Sequence, residues 1–143
     1  MTKLNSYLSL IRFYNPIGFW LLLWPGLWGL FLSDNFNIEN FTIVVLGSFL
    51  TRSLGCAIND FLDRDFDKSV ERTKNRPIAS KELSLSEAGI FIILLASVCI
   101  FLLMQTNPYT IKLVSYVAIP MIILYPLMKR FLAMPQLFLG ATF

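Results

Sequence analysis

Histidine is absent from the 143 residues, and cysteine occurs only twice. Without histidine the chain has neither an imidazole general base nor an imidazole metal ligand. Cys56 and Cys99 both stand in apolar runs, where a free cysteine behaves as a small buried hydrophobe. They do not read as a disulfide framework. Charge is scarce over most of the chain. Of 21 charged residues, twelve lie between Asp60 and Glu82, which leaves nine for the other 120 positions. Internal repeats, low-complexity tracts and a soluble second domain are also lacking. Aromatics are plentiful at 21, and apolar residues make up 56% of the chain. A disordered chain is poor in aromatics, and a small soluble domain has too much surface to hide so many apolar side chains. An integral membrane protein remains, with mean hydropathy +0.65.

The net charge of +3 does not indicate a nucleic-acid partner. The basic residues lie between apolar runs and form no stripe on a polar surface. The runs predict the spans: Phe13 to Ser33, Asn40 to Asn59 (interrupted only by Arg52), Ala88 to Ile111, Leu113 to Met128, and the start of a fifth from Phe131 to Phe143. Each of the first four approaches the roughly 20 residues a helix needs to cross the hydrocarbon core. The first run is long, has no small-residue cleavage site and reads as a retained span. Asn15-Pro16 predicts a capped start for it, and Pro25-Gly26 a kink within it. Trp20, Trp24 and Trp28 recur every four residues on one face, as packing or interface anchors do. Ser84 and Glu87 have capping-box spacing and predict the start of the third span's helix. Counted over the connections, ten Lys and Arg fall on one set of alternate sides against Lys112 alone on the other. The positive-inside rule then puts the N-terminus and the Asp-rich loop in the cytoplasm. The fifth run stops after 13 residues with nothing polar behind it, which predicts a truncated or split polypeptide.

Chemistry concentrates at the end of the second span. Asn59, Asp63 and Asp67 are spaced i, i+4, i+8, and Asp60 joins their stripe if the helix runs on. Asp65 falls on another side, available to neighbouring bases. Carboxylates stacked at a helix C-terminus repel one another and oppose the helix dipole. A hard divalent cation relieves both penalties, and oxygen-only donors suit Mg²⁺. A solvated run of ordinary ion pairs is the plainer alternative. Arg72, Lys74 and Arg76 follow within a few residues. Arginine matches phosphate oxygens bidentately, so a cation-plus-arginine site suits a diphosphate ester, while the same charges also serve topology. Arg52, seven residues before Asn59, shares its face inside the span. It is placed either to bind a substrate carboxylate or to snorkel to the interface. Tyr125 and Lys129 lie at the same end of the fourth span, as cavity residues or interface anchors.

Asn59-Asp60-x-x-Asp63-x-x-x-Asp67 resembles the first Asp-rich motif of the UbiA superfamily of intramembrane aromatic prenyltransferases. The segments Asn15 to Pro25, Arg72 to Pro77, Tyr125 to Arg130 and Pro135 to Gly140 resemble the 4-hydroxybenzoate polyprenyltransferase branch. The resemblance covers nearly the whole chain. It implies an all-α, polytopic transmembrane helical bundle, here about four complete spans and the start of a fifth. Residues 1–143 would be the N-terminal part of the domain, without the second half and its second Asp-rich motif. The implied activity is Mg²⁺-dependent transfer of a polyprenyl group from polyprenyl diphosphate to the ring of 4-hydroxybenzoate in ubiquinone biosynthesis, at a bacterial inner membrane. By position, Asn59, Asp63 and Asp67 would hold Mg²⁺ and the diphosphate, with Asp60 in support. Arg72, Arg76, Tyr125 and Lys129 would line the diphosphate end, and Arg52 would face the aromatic acid. Membrane lipid and a complementary C-terminal half are the further partners implied, with little activity expected from this chain alone. Two alternatives compete: an inactive fragment of a split prenyltransferase, and a small cation-coupled transporter. The transporter predicts inverted repeats that the sequence lacks, and it leaves the arginine-rich loop without a role.

Overall fold

The computed structural model describes residues 2–34 and 36–121. Every regular element among them is helical: α1 (Lys3–Leu10), α2 (Ile17–Leu32), α3 (Ile38–Leu62), α4 (Arg64–Asp67), α5 (Leu85–Met104) and α6 (Pro108–Leu113), which runs on into a π-helical turn, Val114–Ala118. The chain divides into two compact units, the first ending at Ile100 and the second beginning at Phe101.

In the first unit α2 packs along α3. Leu23, Leu27 and Leu30, spaced i, i+4, i+7, are the buried stripe of α2. The opposite face of α2 is apolar as well and stays exposed, including all three tryptophans. An apolar helix exposed on one side is matched to lipid rather than water. The same holds for α5, where only 6% of the most apolar stretch is buried, far too little for the core helix of a soluble protein. By length and composition α3 and α5 are each able to cross a membrane, and α2 is a shorter apolar helix. Hydroxyls inside α3 satisfy themselves locally: Thr42, Thr51 and Ser53 donate to carbonyls four residues back at 2.7, 2.6 and 2.7 Å.

The charged segment after α3 is a packed structure and not a solvated loop. Successive turns from Phe66 to Leu83 are closed by backbone hydrogen bonds, among them Lys74 N to Val70 O at 2.9 Å and Ser80 N to Arg76 O at 2.8 Å. They carry Ile78 and Leu83 into a core with Leu10, Ala57 and Ala88, joining α1, α3 and α5. The small side chains Ala57 and Ala88 are fully buried there. α1, which the apolar runs do not announce, enters through Leu10 and through Ser6, whose hydroxyl donates to Glu82 Oε2 at 2.7 Å. Lys3 pairs with Glu87, and that contact raises the lysine's pKa.

Helix ends test the predicted signals individually. The capping box forms: Ser84 Oγ and N both donate to Glu87 Oε2, at 2.8 and 2.9 Å. Asn37 caps α3, accepting from Asn40 N at 2.7 Å. Asn15 does not cap α2; Pro16 holds the cap position and no side-chain bond is made. The predicted third run to Ile111 ends early. Asn107 accepts from Thr110 N at 2.8 Å and Pro108 begins a new helix, so the break lies at Asn107-Pro108 and Lys112 stands in the last turn of α6. An uncharged run conceals a stop made by Asn-Pro, because that stop works through capping and a missing N–H rather than through charge. Helix α2 continues through Pro25. Cys56 and Cys99 are free thiols. Tyr125, Lys129, the last seven residues of the fourth predicted run and all of the fifth lie outside the described residues.

Candidate functional site

Asn59 and Asp60 stand in the last turn of α3, Asp63 is its C-cap, and Asp67 ends α4. The predicted stripe is therefore interrupted. The backbone at Asp63 has φ −90° and ψ 5°, outside the helical well, although Asp63 N still bonds Asn59 O at 2.9 Å and Asp67 N bonds Asp63 O at 2.8 Å. Asn59 and Asp63 are half-buried, whereas Asp60 and Asp67 are buried.

At Asp60 and Asp67 the charge conflict predicted for this stripe is resolved by arginines. Arg12 Nη2 donates to both carboxylate oxygens of Asp60, at 2.7 and 2.9 Å. Arg76 Nη1 lies 3.1 Å from Asp60 Oδ1 and 2.8 Å from Asp67 Oδ2, bridging the two acids. At 1% exposure the Asp60 side chain has no water to fall back on, so these guanidinium groups carry its charge. Thr73 Oγ1 closes the group by donating to Asp67 O at 3.1 Å. Asp65 does point elsewhere, paired with Lys68 at 2.8 Å, and the ammonium holds its carboxyl below the ordinary range.

Arg12 is the member that sequence reasoning missed as a site residue. Standing ahead of the first apolar run, it reads there as a topology charge. In the structure it follows α1 with a left-handed backbone, φ 59°, and also donates to Ser9 O at 3.1 Å. That turn swings its side chain back toward the end of α3.

Arg12 and Asn15 form the shared wall of two depressions. One is a cleft of about 250 Å³ between the start of α2 and α3, walled by Phe13, Phe19, Trp20 and Phe49, with Arg52 and Ser53 from α3. Phe49 meets Phe13 and Phe19 edge-on, at centroid distances of 6.4 and 6.0 Å. The other, of about 310 Å³, gathers Arg12, Arg72 and Arg76 with Tyr14, Thr73 and Asn75. Arg52 and Arg72 enter no ion pair among the described residues. An aromatic cleft with a guanidinium that makes no ion pair among the described residues suits a flat ring bearing an anionic group. A depression with three guanidinium groups suits a polyanion.

For a divalent cation the donor set is right in kind: Asn59, Asp63 and Asp67 offer oxygen only, as Mg²⁺ prefers. Asp67 Oδ2 is already engaged by Arg76. Among the described residues no group of three or more acidic, cysteine or histidine side chains is placed to hold a metal ion. Neither depression is lined by Asn59, Asp63 or Asp67, so these residues would suit only a Mg²⁺ that draws most of its ligands from water and a phosphate.

A family model described as the UbiA prenyltransferase family matches residues 22–143. The chain is 45% identical over 143 residues to a protein named 4-hydroxybenzoate octaprenyltransferase from Polynucleobacter asymbioticus, covering 99% of this chain and 50% of that one. It is 46% identical to a protein of the same name from Vibrio atlanticus, with 99% and 50% covered. A third of that name, from Polynucleobacter necessarius subsp. necessarius, is 48% identical over 141 residues, with 96% and 48% covered. The chain thus spans about half the length of the curated relatives it matches. No solved structure matches it.

Proposed function

The chain belongs to the UbiA prenyltransferase family, and from that premise we propose that it supplies the diphosphate-binding and aromatic-acid-binding half of a 4-hydroxybenzoate polyprenyltransferase serving ubiquinone biosynthesis. The observation that carries the reading is the pair of depressions meeting at Arg12 and Asn15, one basic and one aromatic. A diphosphate in the first and a hydroxybenzoate ring in the second would lie side by side, as transfer between them requires.

The chemistry follows from charge. As the allylic C–O bond of a polyprenyl diphosphate breaks, its electron pair leaves with the diphosphate. Arg72 and Arg76 stabilise the growing negative charge, with Arg12 at the edge of the same depression. Tyr125 and Lys129 are proposed to line the diphosphate end as well. Arg52 holds the carboxylate of 4-hydroxybenzoate, which orients the ring. The ring carbon ortho to the phenol hydroxyl bonds the allylic cation, a ring proton leaves and aromaticity returns. Phe13, Phe19 and Phe49 keep water from the cation. Asn59, Asp63 and Asp67 would hold Mg²⁺, with Asp60 fixing Arg12 and Arg76 beside them. When bound, the ion would supply further positive charge against the diphosphate. The proposed setting is a bacterial inner membrane, with the N-terminus and the Asp-rich segment cytoplasmic and the isoprenoid tail in lipid. A complementary C-terminal half would complete the site.

The test uses membranes containing the chain with and without a C-terminal half taken from one of the relatives. Labelled 4-hydroxybenzoate, polyprenyl diphosphate and Mg²⁺ are added. The expected result is Mg²⁺-dependent prenylated product from the pair, lost in Asp63→Ala. No product from a pair shown to be inserted and associated would overturn the proposal.

A further inference from the structure

We propose that Gly18 is a positioning residue for Arg52, and thereby decides whether the aromatic cleft reads a carboxylate; the role of Arg52 in this proposal rests on the function proposed above. Gly18 is the second residue of α2. A Cβ built on it would stand 2.2 Å from Arg52 Nε, 2.5 Å from Cζ and 2.6 Å from Nη2. The guanidinium of Arg52, which lines the cleft, therefore occupies the space where a side chain at position 18 would begin. Any side chain at position 18 would occupy that space.

The consequence separates function from folding. The atoms in conflict belong to the free end of a long flexible side chain and not to backbone, so an added methyl is accommodated by moving the arginine head. Restoring ordinary contact requires a displacement of about 1 Å or more. Helix propensity favours alanine over glycine, so α2 itself gains. The guanidinium loses its place, and Arg52 has no ion pair among the described residues to hold it there. The other glycine of α2 outside the Pro-Gly pair supplies the control: a Cβ on Gly29 meets nothing within 4 Å.

The experiment uses the full chain in lipid nanodiscs. Nitrogen-15 spectra of the arginine Nε–Hε groups are recorded, with Arg52 assigned through Arg52→Lys. The Arg52 resonance is expected to shift in Gly18→Ala and to stay in place in Gly29→Ala, both with thermal midpoints at or above wild type. An unmoved Arg52 resonance in Gly18→Ala overturns the proposal, as does a collapse of folding in that variant. Equilibrium binding is then measured with 4-hydroxybenzoate and with its uncharged analogue 4-hydroxybenzamide. Wild type should prefer the acid, Arg52→Gln should lose the preference, and Gly18→Ala should bind the acid about tenfold more weakly. Loss in Arg52→Gln with full binding in Gly18→Ala overturns the positioning role alone. A preference that survives Arg52→Gln overturns the carboxylate role of Arg52 while leaving its placement by Gly18 to the spectra. No preference in wild type overturns the carboxylate reading and the proposal with it.

Discussion

Replacing Arg12 by alanine should destabilise the fold, and removing the charge of Asp60 at the same time should restore part of the loss. Asp60 is 1% exposed, and Arg12 makes two of its three close charged contacts. Breaking a buried ion pair by deleting one partner costs about 3–5 kcal/mol, because the other charge is stranded. Here Arg76 stays at 3.1 Å, so the single change should fall at the lower end, about 3 kcal/mol. In Arg12→Ala combined with Asp60→Asn no buried carboxylate is stranded at position 60, and the amide keeps an acceptor for Arg76. The double variant should therefore be more stable than Arg12→Ala alone by about 1 kcal/mol or more. Unfolding in mixed micelles, followed through the fluorescence of Trp20, Trp24 and Trp28, measures both. A double variant no more stable than the single one would refute the idea that Arg12 is there to neutralise Asp60. So would a loss below about 0.5 kcal/mol in Arg12→Ala, the size of an ordinary surface change.

Other outcomes are as definite. Asn107→Ala removes the side chain that accepts from Thr110 N, and should cost about 1 kcal/mol locally, read as faster amide exchange through the first turn of α6. Thr73→Val keeps the buried volume but deletes the hydroxyl bond to Asp67 O, and should lower stability by about 1 kcal/mol in the same micelle assay. The carboxyl of Asp65 should titrate below the ordinary aspartate range by carbon-13 NMR and move up in Lys68→Ala. Because its folded pKa is the lower one, any stabilisation from that pair is present above the unfolded pKa and disappears as pH falls through the folded value. With a cysteine at Ser69 and the native thiols replaced, labelling by an impermeant maleimide should occur only when the cytoplasmic face is opened; labelling from outside intact cells would reverse the proposed orientation.

Particular residues show what was legible without a structure. The apolar runs and the confinement of charge between Asp60 and Glu82 settled that the chain is helical and membrane-bound, because the cost of placing charge or unpaired backbone in lipid acts on every residue alike and leaves a pattern of composition. The capping box at Ser84 and Glu87 was readable for a similar reason, since both partners lie within one turn. The Asp-rich motif drew attention to this segment, and Arg76 joins Asp60 and Asp67 there, but composition and spacing said nothing of who neutralises them. Arg12 reaches Asp60 across 48 positions of sequence, and Arg76 joins two acids only after the charged segment has wound back onto α1, α3 and α5. The contact of Gly18 with Arg52 likewise needs two helices packed in one register. Local hydrogen bonds and solvent preference are properties of short stretches, so sequence carried them. The pairing of distant charges and the space beside a missing Cβ belong to tertiary packing, where a few ångströms decide which groups meet.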